Sequence, residues 1–107
     1  MTGYQLTFFT QQNRRHDRQP LHQWLLALVR SMGIRGATVF TAQEGIGSSR
    51  QLHSARFFEL ADQPIEITMA VSADECDAIM RRLRTEPDLH VFYAKTPIEF
   101  GTIGGEE

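Results

Sequence analysis

"IEITMAVSADECDAIMRRLR" (65–84) holds two different periods back to back. Ile65, Ile67, Met69 and Val71 alternate with Glu66, Thr68 and Ala70, the pattern of a strand that buries one face. Ser72 and Glu75 then stand at capping-box spacing. Beyond them Ala73, Cys76, Ile79, Met80 and Leu83 fall on one face of a helix that ends near Arg84. A strand with one apolar face running into a helix with one apolar stripe has a simple solution: the helix lies on the sheet.

The same plan recurs upstream. "YQLTFFT" (4–10) reads as a strand rich in aromatic residues, and the polar run 11–19 as a loop. Pro20 opens a helix, where its missing N–H costs nothing. Leu21, Leu25, Leu28 and Met32 line that helix, with Trp24 and Val29 beside them, and Gly33 ends it. "ATVFTA" (37–42) is a second strand. "ARFFEL" (55–60) is strand-like, and "LHVFYAK" (89–95) reads as the last strand, after a break at "EPD". The expected fold is α+β: a ferredoxin-like βαββαβ sandwich, its antiparallel sheet carrying two helices on one face. Residues 1–96 would form this single domain and 97–107 a glycine-rich acidic C-terminal tail.

Two helices cover one face only. Yet the strands carry Phe8 with Phe9, Val39 with Phe40, Phe57 with Phe58, and Phe92 with Tyr93. Apolar residues on both faces point to a homo-oligomer that buries the uncovered one.

Composition narrows the function. The chain has 107 residues, a formal net charge of −2 and 22% charged residues, so no basic field favours nucleic acid. Cys76 is the lone cysteine, which rules out a disulfide framework within the chain. With no apolar run of membrane length, the expected location is cytoplasmic.

Two loops carry candidate chemistry. In "AQEGIGSSRQLHS" (42–54), Gly45 and Gly47 permit the backbone geometry of an anion nest. Ser48 and Ser49 add hydroxyls, Arg50 a planar fork suited to phosphate or carboxylate, and His53 a donor that titrates near neutrality. The spacing is not that of a P-loop, and the same residues also suit a plain connector. In "NRRHDR" (13–18), Arg14, Arg15, His16 and Arg18 precede a helix N-terminus, itself favourable to anions; a solvated charged loop is the simpler alternative. His16, His22, His53, His90 and Cys76 show no zinc-like spacing. Ser48, His53 and Glu59 can be written as a triad, but nothing marks a nucleophile elbow. No catalytic residue, metal ligand or cofactor is expected.

The ordered segments "RRHDRQPL", "GIRGATVF", "GIGSSRQLHSARFFEL" and "PIEITMAV" resemble the family known as domain of unknown function 190, in the PII-like group. The resemblance spans most of the chain, residues 4 to 95. It implies a non-enzymatic regulatory homotrimer. A small anionic ligand, such as an adenine nucleotide, would sit in clefts between subunits and be relayed to a membrane transporter or an enzyme. Gly45, Gly47, Ser48, Ser49, Arg50 and His53 would form the responsive loop, and Arg14, Arg15, His16 and Arg18 would add charge from the first loop. The long tyrosine-bearing loop of the nitrogen-regulatory PII proteins is absent, so nitrogen sensing and uridylylation are not implied. The alternatives are a CutA-like trimer that responds to divalent metals and a pure protein-interaction module.

Overall fold

Strand β1 (Thr2–Gln11) turns Leu6, Phe8 and Thr10 to one side and Gln5, Thr7 and Phe9 to the other. After it come β2 (Arg15–His16), β3 (Gln19–Pro20), α1 (Leu21–Ser31), β4 (Thr38–Thr41), β5 (Glu44–Ile46), β6 (Leu52–Ser54), β7 (Pro64–Ser72), α2 (Ala73–Arg84) and β8 (Phe92–Glu99). The computed structural model describes residues 1–42, 44–46, 52–54 and 63–105. The strand expected over 55–60 lies outside them.

The main sheet has the order β4-β7-β1-β8, and all its neighbours are antiparallel. α1 carries the chain from β1 past β7 to β4, and α2 carries it from β7 past β1 to β8. This is the expected ferredoxin-like plan. Leu6 and Phe8 of β1 and Ile65, Ile67, Met69 and Val71 of β7 form the floor of the core. Leu21, Trp24, Leu25 and Val29 close it from α1, and Cys76, Ile79, Met80 and Leu83 from α2. Each large aliphatic side chain buried this way contributes about 1.5–3 kcal/mol.

The helix ends follow local chemistry. Ser72 Oγ accepts from the Glu75 N–H, and the Glu75 carboxylate accepts from the Ser72 N–H, which completes the capping box. At the end of α1, Gly33 N–H donates to the Arg30 carbonyl and Ile34 N–H to that of Val29. This Schellman pattern needs a left-handed residue, and Gly33 takes φ +83°.

Register divides the paired aromatics between the faces. Phe8 lies opposite Tyr93, and Val39 opposite Ile67, on the helix side. Phe9 lies opposite Phe92, and both Phe9 and Phe40 opposite Glu66, on the other. The open face thus carries a band of Phe40, Phe9 and Phe92, in which Phe9 and Phe92 touch with ring centroids 5.5 Å apart. Phe40 is 53% exposed and Phe92 63%. Beside the band runs a threonine row, in which Thr7 and Thr68 share a 3.0 Å hydroxyl contact.

Two expectations change. The last strand starts at Phe92, not Leu89, and runs to Glu99, into the segment read as tail. Pro97 is tolerated because β8 is an edge strand. The first loop is not irregular throughout: β2 and β3 form a small hairpin, with Arg15 opposite Pro20 and His16 opposite Gln19. Its two turn residues, Asp17 and Arg18, have φ of +52° and +67°, the mark of a type I′ turn.

Candidate functional site

The two loops singled out from the sequence leave the sheet at the same end. Gln12 N–H donates to the Gln63 carbonyl at 2.9 Å, and Ala42 N–H to the Pro64 carbonyl at 2.8 Å. The chain therefore departs at Ala42 and returns at Gln63 beside the root of the first loop. Gly45 and His53 face each other across the β5–β6 hairpin. Gly47, Ser48, Ser49 and Arg50 lie outside the described residues.

All four first-loop candidates sit on or beside the β2–β3 hairpin. Leu21 N–H donates to the Arg14 carbonyl, which seats the hairpin against the start of α1. The guanidinium of Arg14 donates to the His90 carbonyl in the connection between α2 and β8. Arg15 Nη2 donates to the Arg18 carbonyl at 2.7 Å, within the turn. Arg15 and Arg18 are exposed. His16 points the other way: its Nε2 lies 2.7 Å from Glu86 Oε2, just past the end of α2. Its side chain is only 10% exposed, and that of Glu86 16%.

Glu86 was not among the residues singled out from the sequence, nor were Arg82 and Trp24. Together with His16 they form one cluster. Arg82 Nη1 donates to Glu86 Oε1 at 2.8 Å. The His16 ring meets the Trp24 ring edge-on, with centroids 4.4 Å apart. The Arg82 guanidinium lies 5.9 Å from the centre of the same indole. Hydrogen bonds from His16, and then from Arg82, hold the Glu86 carboxyl below its ordinary range. A single sequence signal pointed here: Arg82 and Glu86 stand at i, i+4. The contact between residues 16 and 86 has no local signature.

The remaining candidates play quieter roles. Cys76 is buried on α2, and burial pushes its thiol pKa up, away from reactivity. His22 is buried in the first turn of α1, and loss of solvent lowers its pKa. Its Nδ1 and the Thr10 hydroxyl are buried and have no hydrogen-bond partner among the described residues. Among the described residues, no group of three His, Cys, Asp or Glu is placed to hold a metal ion. No described helix is long and apolar enough to cross a membrane.

Two exposed arginines, Arg15 and Arg18, stand on the β2–β3 turn at the sheet end where the glycine-serine-arginine loop is rooted, the residue type an anion contact calls for.

Residues 3–90 match the model of a family described as an uncharacterized ACR, DUF190. A curated relative, a UPF0166 protein of Aquifex aeolicus (strain VF5), is 31% identical over 55 residues, 51% of this chain; the match spans about half (52%) of that protein's length. Among solved structures, the chain is similar to a putative PII-like signaling protein from Thermus thermophilus. That likeness has a TM-score of 0.66 at 22% identity and covers 91% of this chain and 87% of that one. It is also similar to CPII, a nitrogen regulatory PII-like protein from Thiomonas intermedia K12, solved with ADP, AMP and bicarbonate. Here the TM-score is 0.64 at 17% identity, over 92% and 89% of the two chains.

Proposed function

The chain belongs to the DUF190 family, and from that premise we propose that it is a non-enzymatic, PII-like regulatory protein. It assembles as a homotrimer, takes a small anionic ligand of the adenine-nucleotide class between subunits, and relays occupancy to a protein partner, a membrane transporter or an enzyme. The observation that carries the reading is the sheet's uncovered face. A band of Phe9, Phe40 and Phe92 on a domain this small favours burial against further copies. The PII-like fold, shared with a protein solved with ADP, AMP and bicarbonate, supports the choice of ligand class.

In this reading Gly45, Gly47, Ser48, Ser49, Arg50 and His53 form the loop that closes on the ligand, and Arg14, Arg15, His16 and Arg18 supply charge or hold it in place. Ligand binding alters the surface offered to the partner. The test is calorimetric titration of the purified protein with ADP and AMP. Arg50→Ala is expected to weaken the bound nucleotide by about tenfold or more, as loss of a bidentate charged contact does. Unchanged affinity would remove Arg50 from the site.

A further inference from the structure

We infer that His16 and Arg82 form a seat for an oxyanion within a single chain, and that Glu86 is its built-in occupant, displaced when an external oxyanion binds. The two oxygens of the Glu86 carboxylate go to different donors, Oε2 to His16 and Oε1 to Arg82. The seat therefore selects a group with two acceptor oxygens on one centre, a carboxylate, bicarbonate or phosphate.

Both donors are also oriented without Glu86. Trp24 holds the His16 ring edge-on and lies under the Arg82 guanidinium. Removing the carboxylate leaves two donors in place, aimed at one point.

Glu86 can also leave. It lies beyond the last residue of α2, where its N–H bonds to the Leu83 carbonyl. Pro87 and the left-handed Asp88 follow. It borders a cleft of about 210 Å³ lined by Leu83, Arg84, Leu89, Val91 and Tyr93. Arg82 is 40% exposed, so an anion can approach from solvent on that side. Exchanging carboxylate for phosphate keeps both hydrogen bonds, so the cost of exchange is the competition from the tethered Glu86 itself. Release of Glu86 frees the connection that Arg14 also grips through the His90 carbonyl. The seat is complete within one chain and does not depend on the trimer or on a nucleotide between subunits.

Trp24 is the chain's single tryptophan, so its fluorescence reads the seat directly. Inorganic phosphate is titrated into the wild type, Glu86→Ala, and the double variant His16→Ala/Glu86→Ala, with sodium chloride at matched ionic strength as control. Glu86→Ala should show a saturable change with an apparent Kd about tenfold or more tighter than the wild type, because the internal competitor is gone. The double variant should lose that response. AMP in place of phosphate distinguishes the sources: a response tighter than that of phosphate and lost in the double variant points to a phosphorylated ligand at the seat, and one equal to or weaker than that of phosphate to a free oxyanion. Absence of a phosphate response in Glu86→Ala, or equal affinity in wild type and variant, overturns the proposal. Should Glu86→Ala not fold, Glu86→Gln is read in the same way. Failure of both to fold also overturns it, since Glu86 would then be a required strut and not a displaceable occupant.

Discussion

The two faces of the sheet are made by the same strands, one residue out of step. On the helix side, β1 contributes Leu6 and Phe8, both sealed under α1 and α2. On the open side its neighbours are Thr7 and Phe9, beside a Phe92 that stays largely exposed. The helix side is finished within one chain. The open side keeps apolar surface that a lone chain leaves in water. On the proposed reading, core stability and assembly fall to the two opposite faces of these strands, and substitutions on the two faces should separate them.

Phe8→Ala should have the largest effect, a loss of about 3–5 kcal/mol in denaturant unfolding, from lost burial and the cavity left behind. Phe92→Ala should change the fold's own stability by less than about 0.5 kcal/mol, as exposed substitutions do, while weakening association in sedimentation. Equal losses from the two would erase the distinction between the faces.

Gly3→Ala comes next. A Cβ there would lie 2.0 Å from the Val71 carbonyl oxygen and 2.9 Å from Ser72 Cα. The β1–β7 ladder would have to shift, at a cost of about 1–3 kcal/mol. Ser72→Ala removes one half of the capping box and should cost about 1 kcal/mol, well below the loss at Phe8.

The smallest effect is on pH. Burial lowers the pKa of His22 in the folded state, so the unfolded chain binds the proton more readily. Stability should fall as pH drops through the ordinary histidine value of about 6.5. His22→Gln should flatten that part of the melting-temperature profile. A wild-type profile that rises on acidification there would contradict it.

The same comparison explains what could be read from sequence. The β7–α2 segment was legible to within a residue because alternation, cap and helical stripe agree. The end of β8 was not, since Thr96 and Pro97 look like turn residues and their place on an edge strand is set by β1. The β2–β3 hairpin escaped notice because its turn is Asp17-Arg18, with no glycine to advertise positive φ. His16 stands out in the sequence as a ligand contact, while Glu86 reads as part of a helix break and Trp24 as a core residue, which it also is. Contacts across some seventy positions of chain are made by the fold, and no local pattern announces them.

The most direct measurement is the solution mass of the wild type and of Phe40→Glu/Phe92→Glu by sedimentation equilibrium. The wild type should show three times the 12.2 kDa chain mass and the variant a folded single chain. A wild type that sediments as a single chain at every concentration would contradict it.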